Sequence, residues 1–204
     1  MIKPKPFIET YTGKKFYFTD PEPDMIDIRD IAHSLSLQCR FMGHAETFYS
    51  VAEHSVAVSC IVDTENALAA LLHDAAEAYL SDIPRPIKKL LPQYMELEEQ
   101  VSQAIYSKFF LNVSHESWSD IKDADNTQLK TEAKYLLSSQ GKDWIGDYPT
   151  KGRKGKVPNC LAPIHAEALF LRTFHEITGT KIEAPQPPLI MVNWCVILLL
   201  DYAW

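Results

Sequence analysis

Apolar residues recur along most of the chain with a helical period. After a break at Pro21 and Pro23, Ile28, Ile31, Ala32 and Leu35 fall on one stripe, with Asp24 or Asp27 as N-cap. Val51, His54, Ser55, Val58 and Ile61 trace a second stripe. A third runs through Leu68, Leu71, Leu72, Ala75, Ala76 and Tyr79, predicting a helix over Ala67–Leu80 that ends at Asp82 and the Pro84-Arg85-Pro86 stop. Leu97, Val101, Ala104 and Ile105 mark a fourth helix. Trp118, Ile121, Asp125, Leu129, Leu136 and Leu137 mark a fifth, opened by Ser114 or Ser117, and a last amphipathic helix covers Pro163–Thr178. Strand character is confined to the start, where Phe7–Tyr11 and Phe16–Phe18 flank Thr12-Gly13-Lys14 as a small hairpin. The expectation is an all-α fold with an N-terminal β-hairpin.

With 204 residues, 46% of them hydrophobic, the chain can bury one core, and cores of this size rarely divide below about 250 residues. One domain is expected over 1–204, with the hairpin in 1–20, a helical core in 24–180 and an apolar tail in 185–204. The run Leu189–Leu200 is too short to span a bilayer, which takes about 20 residues. It is expected to be buried, either in a homo-oligomer or by docking on its own subunit. A formal charge of −7 argues against nucleic acid and anionic membrane as partners. Cys39, Cys60, Cys160 and Cys195 form no C-x-x-C pair, and Met1–Lys5 carries no secretory apolar region, so a cytoplasmic location is expected. Between Gln140 and Cys160 the composition shifts to Gly, Pro, Lys and Arg, predicting a loop. Its basic cluster Lys151–Lys156 reads as a solvated, mobile connector rather than a lid over phosphates.

The chain contains no Walker A loop, no G-x-G-x-x-G, no H-E-x-x-H and no G-x-S-x-G, which narrows the field and argues against P-loop and Rossmann chemistry. What stands out is His73-Asp74 inside an otherwise apolar helix, where two ionisable side chains need compensation. An isolated His-Asp pair is usually structural. Here His54, Glu77, Asp82 and Asp125 also occupy polar gaps in apolar stripes, and together they point to a divalent ion. Imidazole and carboxylate suit zinc, manganese, iron and cobalt. Glu77, at i+4 from His73 and i+3 from Asp74, is placed for proton transfer. Trp118 and Trp144 read as core or rim residues, and His33, His115, His165 and His175 as structural or surface ones.

The order His54, His73-Asp74, Asp125 resembles the H…HD…D signature of the HD-domain phosphohydrolases, an all-helical superfamily that binds one or two divalent ions, magnesium included. Cys39-Arg40-Phe41-Met42-Gly43-His44, Phe48–His54, His73–Glu77, Asp82–Lys88 and Lys122–Asp125 are together similar to phage and prophage members related to YfbR-like 5′-deoxynucleotidases. That branch includes phage dATP triphosphohydrolases. The resemblance covers about Phe7–Leu137, and Leu161–Ile177 more weakly. It implies a metal-dependent phosphohydrolase of 2′-deoxynucleotides, with mono- and triphosphates both open. It makes His54, His73, Asp74 and Asp125 metal ligands, Glu77 the group acting on water or the leaving oxygen, and Asp82 a deoxyribose contact. It places Arg40, Lys88 and Lys122 at the phosphates and Phe41 at the base, where the bacterial nucleotidases carry Trp. His44, in the same motif, lines the pocket or caps a turn. The G-Y-P signature of related phosphodiesterases is absent. The alternative is a phage module that keeps the fold to bind nucleotides or a host protein without catalysis. Retention of the metal ligands and Glu77 favours the enzyme.

Overall fold

The computed structural model describes residues 5–182, which are mostly helical behind a short antiparallel hairpin. The tail at 185–204, and the oligomer expected from it, lie outside the described residues. In the hairpin, β1 (Phe7–Glu9) pairs with β2 (Lys15–Tyr17), with Ile8 opposite Phe16. Gly13 takes the left-handed turn position at φ 82°. The hairpin is docked rather than free. Phe16 is fully buried and stacks on Tyr79 at 4.1 Å, and the Thr12 backbone N–H and hydroxyl donate to Asp30 at 2.6 and 2.9 Å.

Eight α-helical segments follow among the described residues. α1 (Ile28–Leu37) is capped by Asp27, which accepts from the Arg29 N–H and so resolves the two candidates. α2 (Val51–Ser59) is buried along its whole length, and Ser50 caps it by accepting from the Glu53 N–H. α3 (Ala67–Leu71) and α4 (Glu77–Leu80) are short, as is α5 (Arg85–Lys88). α6 (Pro92–Lys108), α7 (His115–Leu136) and α8 (Pro163–Thr178) are long. Ser114 caps α7, and Gly179 closes α8 in the left-handed conformation at φ 70°. The main core joins Ile31, Leu35, Val51, Leu71, Leu72, Ala75, Val101, Ile105, Phe170 and Phe174. Each large side chain among them contributes roughly 1.5–3 kcal/mol by leaving water. α2 runs through the middle, packed against α1, α3, α7 and α8. Among the described residues no helix is long and apolar enough to cross a membrane.

Two expectations need correction. The helix expected over Ala67–Leu80 is interrupted at 72–76, where bonding tightens from i→i+4 to i→i+3: Ala75 N–H donates to Leu72, Glu77 to Asp74 and Ala78 to Ala75. The helix does end at Leu80, ahead of Pro84-Arg85-Pro86 as expected, and that triplet also opens α5, because a proline in a first helical turn loses no hydrogen bond. The segment between Gln140 and Cys160 is irregular as expected, but side chains pin it to the helices. Asp123 accepts from the Lys151 N–H at 2.5 Å, Gln128 binds both the N–H and the carbonyl of Lys156, and buried Glu53 accepts from the N–H groups of Asn159 and Leu161. Gly155 lies so close to α7 that a Cβ there would meet Thr131 Oγ1 at 2.1 Å. The segment is a strap along α7 rather than a free connector.

Candidate metal centre and its cavity

His54 occupies the centre of α2, fully buried. Its Nδ1 donates to Glu132 Oε1 of α7 at 2.7 Å, and the same carboxylate accepts from Tyr49 Oη at 3.0 Å and Arg40 Nε at 2.9 Å. Burial alone would raise the Glu132 pKa, but Arg40 and His54 hold it below its ordinary value. A buried carboxylate on Nδ1 fixes the tautomer that leaves the Nε2 lone pair free, the usual arrangement behind a ligating imidazole. Among the described residues that buried Nε2 has no hydrogen bond; it lies 3.6 Å from Asp74 Oδ2 and 3.3 Å from Asp125 Oδ1.

His73 and Asp74 reach the same place because their helix is interrupted. On a continuous helix neighbouring side chains diverge by about 100°. The tightened turn instead brings His73 Nε2 within 3.1 Å of Asp74 Oδ2, while His73 Nδ1 donates back to the Ala70 carbonyl at 2.8 Å. His73 Nε2 is also buried and without a hydrogen bond among the described residues. One ligand atom each from His54, His73 and Asp74 lies within 4.8 Å of the other two. Two imidazole Nε2 atoms and one carboxylate, facing one another with no hydrogen bond to either nitrogen among the described residues, suit a divalent ion that retains open positions and takes both imidazoles in their neutral form. Asp125 stands beside this group rather than within it. It receives Lys122 Nζ at 2.9 Å and the Arg85 guanidinium.

The charges are strongly coupled. Burial and Arg40 act to lower the His54 pKa, yet Glu132 and Asp125 prevail and bring it to about 9. Burial pushes Asp74 and Asp125 upward, but His73 beside the first and His54 beside the second hold both below the usual carboxylate range.

A cavity of about 1180 Å³ opens from this group. His73, Asp74, Glu77, Asp82, Arg40, Phe41, Lys88, Lys122 and Asp125 all line it, and His54 lies behind its wall. His44 does not join them. It is exposed, and its backbone N–H closes the Arg40–Gly43 turn on Phe41. In that turn Phe41 and Met42 adopt φ of 55° and 52°, left-handed backbone that costs non-glycine residues about 1–2 kcal/mol each. The Arg40 guanidinium lies 5.6 Å from the Phe41 ring centre. Glu77 is 4% exposed; Oε1 accepts from Lys88 Nζ at 3.0 Å, and Oε2 is buried with no hydrogen bond among the described residues. Burial, then Asp74 and Asp82, raise its pKa well above the ordinary value despite Lys88. Burial also raises Asp82. Lys88, shared between Glu77 and Glu98, is held in its charged form against the effect of burial.

Several contributors were missed in the sequence. Glu132 follows Asp125 by seven residues, two turns along the same buried face of α7, a spacing that could have revealed it. Arg85 donates to Asp125 and to Asn126 Oδ1, the latter at 2.9 Å, and lies 5.2 Å over the Tyr148 ring. Trp144 meets Tyr148 edge-on at 5.7 Å, and both line the cavity together with Trp118. Trp118 also packs against the smaller core cluster of Val58, Ala69, Ala70, Ile121 and Ala124, as a core-or-rim residue should, and both tryptophans line the pocket as well. His33, by contrast, has a structural setting, stacked on Tyr11 at 3.8 Å with Glu167 3.1 Å from its Nδ1.

No family model matches the chain. It is 41% identical over 177 residues to the uncharacterized protein YfdR of Escherichia coli K12, spanning 86% of this chain and 97% of that one. It is also 34% identical over 137 residues to the uncharacterized protein RCAP_rcc00048 of Rhodobacter capsulatus, spanning 61% of this chain and 70% of that relative.

Proposed function

The chain belongs to the same family as YfdR, and from the geometry of the cavity we propose that it is a metal-dependent phosphohydrolase of 2′-deoxynucleotides on an HD-domain fold. The observation that carries this reading is the group His54, His73 and Asp74, with two buried imidazole nitrogens that have no hydrogen bond among the described residues, at the wall of a cavity that also presents Arg40, Lys88 and Lys122. When bound, a divalent ion there would supply a Lewis acid for a phosphoryl oxygen and lower the pKa of water. His54, His73 and Asp74 would hold it, with Asp125 next to them.

The remaining chemistry belongs to the side chains around it. Arg40, Lys88 and Lys122 bind and orient the phosphoryl oxygens and stabilise the charge that spreads over them. Glu77, with a raised pKa and an Oε2 that has no hydrogen bond among the described residues, carries a proton to the leaving oxygen or takes one from water. Asp82 accepts from the sugar hydroxyl, and Phe41 offers a ring face to the base. The test is metal analysis followed by a phosphate-release screen over deoxy-, ribo- and 2′,3′-dideoxynucleotides, each as mono- and triphosphate. Release from deoxynucleotides, with dideoxynucleotides poor, is expected. Equal turnover of ribonucleotides would overturn the substrate class, and no release with any metal would overturn the activity.

A further inference from the structure

Asp82 reaches the cavity from a backbone that is held out of its preferred conformation. The residue before it, Ser81, ends α4 with φ 75° and ψ 151°, a region that only glycine enters freely. Two side chains from elsewhere in the fold hold this turn. Tyr94 Oη of α6 donates to the Ser81 carbonyl at 2.7 Å. Gln38, at the end of α1, does more: its Oε1 accepts from the Asp82 N–H at 2.9 Å, and its Nε2 donates to the Glu77 carbonyl at 2.9 Å and to Ser34 Oγ at 3.0 Å. Ser34 in turn donates to the Ala78 carbonyl at 2.8 Å. Gln38 itself is fixed by its backbone, whose carbonyl accepts from the Val51 N–H at 3.1 Å.

One amide side chain therefore grips both ends of the segment 77–82, the carbonyl of Glu77 and the N–H of Asp82. We propose that Gln38 is a positioning residue that sets the spacing and aim of the Glu77 and Asp82 carboxylates. This rests on the reading that those two act on the substrate. Gln38 needs no contact with substrate or metal for this role. An amide is the side chain for the task because it offers a donor and an acceptor on one rigid plane. Leucine would fill similar space and supply neither. Glutamate would keep the acceptor for Asp82 but, when ionised, lose the donor to Glu77.

The test compares Gln38→Leu and Gln38→Glu with the parent by metal content, steady-state phosphate release and amide hydrogen exchange across residues 77–82. Gln38→Leu should keep its metal, lose kcat about 10- to 100-fold, the scale set by sub-ångström to ångström misplacement of reacting groups, and exchange faster at Asp82. Gln38→Glu should fall between the two and, at saturating metal, recover relative to the parent at the same pH as the pH is lowered, because the protonated carboxyl group donates again. A residue that merely supports folding would not give that recovery. Parental kcat, KM and Asp82 exchange in a folded Gln38→Leu protein would overturn the proposal. If that variant fails to fold, an unchanged pH profile and exchange rate in Gln38→Glu would do so. A parent inert towards every nucleotide would remove the proposed activity instead, and with it any role in catalysis, while exchange at Asp82 would still decide whether Gln38 holds the turn.

Discussion

Replacing Glu132 by Gln should weaken binding of a divalent ion about 10- to 100-fold, the usual effect of losing the partner behind a ligating histidine. The substitution preserves shape and removes one negative charge from a fully buried position. Glu132 now accepts three hydrogen bonds, two at Oε1 from His54 and Tyr49 and one at Oε2 from Arg40. An amide has one oxygen for these two places. With its oxygen towards His54, its NH₂ meets the Arg40 N–H, donor against donor. With the orientation reversed, NH₂ meets His54 Nδ1 and forces the proton onto Nε2, the atom that must carry the free lone pair. Either outcome reduces affinity, by about 1.4–2.8 kcal/mol for the stated range. Hydrogen bonds to a charged group are worth roughly 1.5–3 kcal/mol and those between neutral groups roughly 0.5–1.5, so weakening three should cost about 3 kcal/mol of stability. Isothermal titration with zinc or manganese, paired with urea unfolding of the metal-free protein, reads both quantities. A variant with parental metal affinity and parental stability would refute the role assigned to this carboxylate.

Glu77→Gln should retain metal and lower kcat by roughly 10²–10⁴, measured by metal analysis and phosphate release. Its folded pKa is raised, so the parent's stability from this group is fully present below about 4.5 and is lost as the pH rises through the folded value; the Gln variant should lack that loss in urea unfolding of the metal-free proteins. His54, with a folded pKa of about 9, must shed a proton to ligate, so affinity for the ion should rise up to about tenfold per pH unit below that value, seen in titrations at successive pH. The same raised pKa gives the metal-free protein stability that is present below about 6.5 and lost as the pH passes about 9. Gly155→Ala should destabilise by about 1–3 kcal/mol through overlap with Thr131, read as a lowered Tm.

How much of this was legible in the sequence follows from which contacts are local. The stripes of α1, α2, α6, α7 and α8 depend on spacing within one helix and read directly, while the caps of α1 and α7 were narrowed to two candidates each, of which the structure selects Asp27 and Ser114. His54, His73 and Asp74 were conspicuous as polar residues in apolar stripes, and the structure brings them together. The interruption at 72–76 was not legible, because Leu71, Leu72, Ala75, Ala76 and Tyr79 keep a helical period through the tightened turn. Its hydrogen bonds depend on a backbone change of one residue in the bonding register. Glu132 was hidden because its role comes from Arg40, Tyr49 and His54, which reach it from distant segments, and seven-residue spacing from Asp125 marks only its place on the buried face of α7. Arg85, Trp144 and Tyr148 come together through tertiary contacts that no local pattern encodes. The strap at 151–161 read as free because its basic, glycine-rich composition says nothing of the buried acceptors Glu53, Asp123 and Gln128 that hold it.

The most direct test of the central claim is phosphate release from deoxyadenosine mono- and triphosphate by chelator-stripped protein, before and after a divalent ion is restored, with His73→Ala in parallel. The account predicts no release from the stripped protein, recovery on adding the ion, and no recovery in the variant. Release at the same rate from stripped protein, or from His73→Ala, would contradict it.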